Sequence, residues 1–254
     1  MRRFRAAWFA LALLLCGAAR AGAQNCPAPG TVLFFEVEGP ALLDSLRFYY
    51  RPPTTLSYNA ARDEMYTRID NHGGLLTCIY TGFQGAVSPQ STSPRSEAFD
   101  HGINAEHTWP QSKGAENPPM ESDMHHLFPS RIEANAARGN HPFAEIPDNL
   151  TDRWYRLNVD VASPVANVID EYSELDNTTL NPGYTGRWEV REDHQGNTAR
   201  AMFYFYTVYR NEANAADPNF FNVQKDHLRQ WNAEDPPDSA EWVRTCAIAP
   251  FQGG

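Results

Sequence analysis

The segment from Phe99 to Phe143 constrains this chain more than any other, because it gathers five of the eight histidines: His101, His107, His125, His126 and His141. Imidazole titrates near neutral pH, so a cluster this dense points to proton transfer or ion binding. Asn104-Ala105-Glu106-His107-Thr108-Trp109-Pro110 sets a hard oxygen donor, suited to Mg²⁺ or Ca²⁺, beside a group able to take a proton from water. Neighbours along a strand face opposite sides. Glu106 and His107 can therefore serve one site only where a strand ends or bends, and Trp109-Pro110 makes such an ending. Further on, a strand containing His125 to Phe128 is expected to lead into a short helix. Ser130 and Glu133 read as its capping box and Gly139 as its stop. Asn135 falls inside that helix, where asparagine is mildly unfavourable. An amide oxygen aimed at a metal accounts for it; a solvent-facing asparagine is the plain alternative.

The first residues read as a targeting segment. Arg2, Arg3 and Arg5 precede the apolar run Trp8 to Leu15, and Ala21-Gly22-Ala23 forms a small-residue cleavage site. Residues 1–23 are thus expected to be a signal peptide, with cleavage after Ala23 and export to the periplasm or the medium. The run is too short to span a bilayer, so no membrane association is expected. Residues 24–254 show no repeat and no dividing linker, which favours one large domain. Cys26, Cys78 and Cys246 allow at most one internal disulfide and leave one thiol. Without the four arginines of the leader, 17 basic residues face 31 acidic ones. A nucleic-acid binder usually shows a basic footprint. A phosphate substrate would here need a few local cations and a bound divalent ion, without tight nonspecific binding.

Periodicity supplies the scaffold. Leu42, Leu43, Leu46, Tyr49 and Tyr50 recur at helical spacing after Gly39-Pro40, and Pro52-Pro53 stop that helix. A second helix is expected from Ser57, its cap, to Asp70, with Tyr58, Ala61, Met65 and Ile69 facing inward. A buried strand should follow over 75–81 and a surface loop over 84–96. Residues 157–176 read as strand and loop, and 197–210 as a strong helix. Weaker helical patterns cover 220–231 and 239–248. The class is α+β, with helices dominating.

The order of a strand with Glu-His, a loop, a strand and a short helix with Asn resembles a ββα-metal, or His-Me finger, nuclease. More narrowly, the chain resembles the endonuclease I family of periplasmic and secreted nonspecific nucleases. The matching pieces are 104–112, 122–130, Glu133-Ala134-Asn135 and Arg138-Gly139-Asn140, with weaker echoes at 58–62, 79–82 and 199–204. The resemblance implies a ββα-metal core packed among several helices. It implies His107 as general base and Glu106 and Asn135 as ligands of one Mg²⁺, which Mn²⁺ or Ca²⁺ could replace in binding. Asn104, His125, His126 and Asn140 would support the site. The substrate would be DNA, and in many members RNA, cut to leave 5′-phosphates by a monomer with no obligate protein partner.

The chain departs from the family pattern in the short loop 112–121, which lacks the arginine that some relatives place there. Lys113, Arg131 and Arg138 are the candidate phosphate-contacting cations instead. Phe251-Gln252-Gly253-Gly254 reads as a C-terminal motif that stops early, so a truncated edge is expected. Of the two adjacent histidines, His126 is expected to be the more open and His125 a structural hydrogen-bonding residue, with His101 and His141 on the surface. A zinc hydrolase would want H-E-x-x-H or H-x-x-E-H on one helix, and neither occurs. A two-carboxylate glycosidase would leave a mid-helix Asn135 unexplained. A non-enzymatic binding module suits the acidic charge alone.

Overall fold

Gly39-Pro40 open α1 (Gly39–Tyr50), where proline costs no hydrogen bond in the first turn, and Arg51-Pro52 end it. This computed structural model describes residues 34–179 and 183–252. The signal segment, the start of the extended entry, Cys26 and Gly253-Gly254 lie outside them. α2 (Tyr58–Glu64) starts at Ser57, whose hydroxyl accepts from the Ala60 amide at 3.3 Å. It widens into a π-turn over Met65–Ile69 instead of running regularly to Asp70. Of the expected inner face, Ala61, Met65 and Ile69 are buried and Tyr58 is half-buried.

The strand expected over 75–81 is shorter than its composition suggested. β1 (Asn71–His72), β2 (Leu75–Thr77) and β3 (Gln84–Ala86) form a small antiparallel sheet. The supposed loop 84–96 therefore carries a strand and runs into α3 (Pro94–Asp100). Gly85 makes this possible: a Cβ there would sit 2.6 Å from Ile103 Cγ1, so only glycine lets β3 lie this close.

Ile103 opens the central element. β4 (Ile103–His107) pairs antiparallel with β5 (Leu127–Arg131), Glu106 opposite Phe128 and His107 opposite Leu127, and α4 (Ile132–Arg138) follows directly. Two expectations need correction here. Residues 124–126 form a 3₁₀ turn, not strand, because Asp123 caps it by accepting from the His125 amide at 3.0 Å. The capping box is also absent. Ser130 is fully buried in β5 opposite Asn104, Arg131 takes the cap position, and the Glu133 carboxylate accepts from the Arg131 guanidinium at 2.9 Å.

β6 (Arg153–Arg156), β7 (Val159–Val161), β8 (Ser173–Asp176) and β9 (Arg187–Glu189) make an antiparallel sheet ordered β7-β6-β8-β9. The helices α5 (Gln195–Val208), α6 (Arg210–Ala216), α7 (Lys225–Glu234) and α8 (Ser239–Gln252) complete an α+β architecture. The strong helix expected over 197–210 is α5, and it buries Ala201, Phe205 and Val208 on one face. Trp109, just past β4, stacks on Phe205 at 4.7 Å and meets Phe220 edge-on at 5.3 Å. Such ring pairs add about 0.5–1.5 kcal/mol beyond area burial, so β4 leaves the core at a fixed point.

Asp123 is the second anchor. Its buried carboxylate accepts from the hydroxyls of Tyr204 and Tyr209 at 2.8 and 2.7 Å and from Gln252 at 2.9 Å. Burial alone would raise its pKa, but the donors around it, His125 first, hold it below the ordinary carboxylate range. From α8, Arg244 donates to the carbonyls of Met124 and Leu127 and pairs with Asp70 at 2.7 Å. The turn before β5 is thus gripped by α5 and α8. Cys246 is disulfide-bonded, while Cys78 is free and buried. No described helix is long and apolar enough to cross a membrane.

Candidate active site

β4 stops where the Thr108 amide bonds to the His126 carbonyl at 3.0 Å and Trp109-Pro110 turn away. At that end Glu106 and His107 both line one cleft of about 570 Å³, as a strand terminus allows. Tyr58, Ser112, Asn135 and Asn140 line it too.

Glu106 is 2% exposed. Its Oε1 accepts from the Tyr80 hydroxyl at 2.8 Å and lies 3.2 Å from Arg138 Nη1, while Oε2 carries no hydrogen bond among the described residues. Burial pushes the carboxyl up to about 7 against the opposing pull of Arg138 and Tyr80.

His107 is more buried than a residue at a strand end would suggest, at 7% exposure. Its Nε2 lies 2.9 Å from the Glu121 carbonyl, which can only accept, so Nε2 carries the proton and Nδ1 keeps its lone pair. Nδ1 has no hydrogen bond among the described residues. Burial, and then neighbouring His126, lower the imidazole pKa to about 3, so the ring is neutral at physiological pH.

Asn135 reaches back from α4. Its amide nitrogen donates to Asn104 Oδ1 at 2.8 Å and to the Ala105 carbonyl at 3.0 Å. This accounts for an asparagine in mid-helix: the nitrogen ties α4 to β4, and the amide oxygen is left unbonded among the described residues. Asn104 thus supports Asn135, and Asn140 bonds Ser112 at 3.1 Å across the cleft wall.

Glu106 Oε2 and Asn135 Oδ1 are two oxygens, one anionic, on the same cleft. Their chemistry fits a hard divalent cation. Among the described residues no group of three or more His, Cys, Asp and Glu side chains is placed to hold an ion. An ion on these two oxygens would complete its shell with water or substrate, as Mg²⁺ prefers.

Of the adjacent histidines, His125 has the expected hydrogen-bonding role, whereas His126 is not the more open of the two. His126 is the closed one: fully buried, with Nε2 donating to the Met120 carbonyl at 2.7 Å and its ring 5.5 Å from that of His107. His125 is partly exposed beside Tyr204 and bonds Asp123 at 3.1 Å. The 3₁₀ turn aims them differently from a strand. His101 is exposed at the end of α3, and His141 is half-buried away from the cleft wall.

None of the three candidate cations lines the cleft. Arg138 is fully buried, donating to the carbonyls of His107 and Thr108 and pairing with Glu106. Arg131 is engaged by Glu133 and the Leu157 carbonyl. Lys113 pairs with Asp217 at 2.8 Å beneath the Tyr184 and Phe220 rings. Each of the three already faces an acidic side chain of this chain, exposed in the case of Glu133. Sequence reasoning missed Tyr58, Tyr80 and Glu121. The tyrosines stood in noted stretches without a chemical signal, and Glu121 acts through its carbonyl, which no side-chain pattern reveals.

Residues 47–254 match the family model for Endonuclease I. The extracellular ribonuclease of Bacillus subtilis (strain 168) is 28% identical over 153 residues, which cover 56% of this chain and 44% of that protein. The extracellular ribonuclease of Bacillus amyloliquefaciens is 28% identical over 253 residues, covering 84% of this chain and 75% of that protein. The chain therefore spans less than half the length of the first relative. With the family match running through β4, β5 and α4 and on to the last residue, the chain belongs to the endonuclease I family.

Proposed function

We propose that this chain is an exported, divalent-metal-dependent endonuclease that hydrolyses phosphodiester bonds of DNA and RNA without marked sequence preference. One observation carries the reading. The Glu121 carbonyl fixes the proton on His107 Nε2, which leaves Nδ1 as a neutral acceptor in the cleft beside two unbonded oxygens, Glu106 Oε2 and Asn135 Oδ1. The antiparallel pair β4–β5 followed by α4 supports a ββα-metal core. The leader-like residues 1–23, and the two relatives named as extracellular, support export.

In this mechanism Nδ1 takes a proton from water, and the water oxygen forms a bond to phosphorus. The bond to the 3′ oxygen breaks as that oxygen takes a proton from solvent water, the proton on Nδ1 returns to solvent, and the phosphate stays on the 5′ end. The imidazolium that forms keeps its Nε2 bond to the Glu121 carbonyl, which stabilises it. Glu106 and Asn135 would hold one Mg²⁺, whose chemistry there is to neutralise charge on the phosphate and the departing oxygen. Arg138 and Tyr80 hold Glu106 by its other oxygen, Oε1. The cleft offers phosphate chemistry rather than a reader of base edges, which accords with weak sequence preference.

The test incubates the mature protein with supercoiled plasmid and with a defined RNA, in Mg²⁺ with and without excess EDTA, and identifies the new ends. Metal-dependent nicking to 5′-phosphate ends is expected. Undiminished cutting in EDTA, or 3′-phosphate ends, would contradict the mechanism.

A further inference from the structure

A nuclease cleft must offset the charge of phosphates beside the bond it cuts, and this chain is acidic, at formal −10. Long-range attraction cannot supply that, so a local cation has to. No Lys or Arg among the described residues lines the cleft, and the three cations nearest in sequence already face Glu106, Asp217 and Glu133.

Arg62 differs from all of them. It lies one helical turn after Tyr58 on α2, so the two side chains share a face. Its guanidinium carbon stands 4.1 Å from the centre of the Tyr58 ring. That ring lines the cleft and is 5.4 Å from the His107 ring, so one aromatic ring separates cation from base. The hydrogen bond Arg62 makes goes to a neutral surface acceptor, Asn59 Oδ1, at 2.7 Å. Its Nε is buried without a partner. The acids of its own helix, Asp63 and Glu64, pair instead with Arg95 and Arg68, and Arg62 joins no ion pair among the described residues. A guanidinium has five donors in a fork matched to phosphate oxygens, and here most of them are unclaimed.

We infer that Arg62, seated on the Tyr58 ring, holds a backbone phosphate next to the scissile one as the strand enters along the Tyr58 edge of the cleft. This rests on the nuclease reading. Arg62 swings from Asn59 to the phosphate while keeping its stacked position, which desolvates the charge and strengthens the contact. Its role is to bind and place the strand, so it acts on KM more than on kcat.

The experiment compares the parent with Arg62→Gln and Arg62→Lys. It reads equilibrium binding of a labelled single-stranded DNA oligonucleotide in EDTA across a salt series, and steady-state cleavage in Mg²⁺. Losing one phosphate contact on a single strand should reduce the slope of log affinity against log salt by about 0.7. Arg62→Gln should also raise KM about tenfold, the effect of one charge-assisted hydrogen bond, with kcat within about threefold. Arg62→Lys should keep the parent slope. An oligonucleotide with one neutral methylphosphonate beside the cut site should cost the parent what Arg62→Gln costs, and cost Arg62→Gln nothing more. If the parent cuts while Arg62→Gln keeps the parent slope and KM, or changes kcat alone, the assignment is overturned and the nuclease reading stands. A parent that neither binds nor cuts overturns both.

Discussion

Glu106 and Glu189 are both buried carboxylates held above their ordinary pKa, yet their surroundings put them to opposite uses. At Glu106, Tyr80 and Arg138 occupy one oxygen and the other is unbonded at the cleft. At Glu189 both oxygens accept, one from the Ile146 amide and one from Gln195 at 3.3 Å. The residue directly across the β8–β9 pair is another buried acid, Glu174, and neither joins an ion pair among the described residues. Burial first, and then Glu174, push Glu189 up to about 9, while burial pushes Glu174 up to about 7. Like charges directly opposite on a sheet are tolerated when one of them keeps its proton. A raised pKa therefore does not mark the site here. An oxygen left unbonded at a cleft does.

The largest effect should come from removing the open carboxylate. Glu106→Gln should weaken Mn²⁺ binding by at least about 100-fold and take cleavage with it, whereas Glu174→Gln should leave both unchanged. Calorimetric titration of the two variants checks this, and equal losses would erase the distinction between the two regions. In the parent, metal affinity should fall as pH drops below about 7, because a proton then competes for Glu106.

The next effect concerns the cation that makes Glu106 tolerable. Arg138→Met should cost about 3–5 kcal/mol in denaturant unfolding, since it leaves a buried carboxylate and the His107 and Thr108 carbonyls without their partner. Arg131→Met breaks a pair whose acid is 64% exposed and should cost only about 1 kcal/mol. Similar costs would mean that Arg138 does not carry the cleft wall.

The smallest effect belongs to the sheet. Glu174 and Glu189 bind protons more tightly folded than unfolded. The stability they give is complete below the ordinary carboxylate pKa and is lost as pH rises through about 7 and then about 9. The melting temperature should fall between pH 5 and pH 9. Glu174→Gln should flatten that fall and gain about 1–2 kcal/mol at pH 8. A profile parallel to the parent's would show that the pair does not share its charge burden.

The same contrast explains what could be read from residues alone. Glu106 and His107 are legible because Trp109-Pro110 forces a strand to end beside them, and Asn135 because an amide inside a short helix needs a reason. The orientation of His125 and His126 is not legible. It depends on Asp123, whose partners Tyr204, Tyr209 and Gln252 come from distant α5, its end, and α8. Ser130 and Glu133 satisfy the spacing of a capping box, but the β4–β5 ladder claims Ser130 first. Arg138 looks like a phosphate contact until its burial is known, and proximity in sequence says nothing about that. The strand order of the β6–β9 sheet lies beyond local periodicity altogether, because its pairings join segments separated by loops.

In the proposed mechanism His107 moves a proton while Glu106 and Asn135 hold the ion. The most direct measurement is a paired one on His107→Ala: Mn²⁺ affinity by titration calorimetry and cleavage under single-turnover conditions. Parent-like metal affinity is expected, with cleavage reduced on the order of 10²–10⁴-fold, the contribution of a general base. Loss of the metal, or cleavage within a few-fold of the parent, would contradict that mechanism.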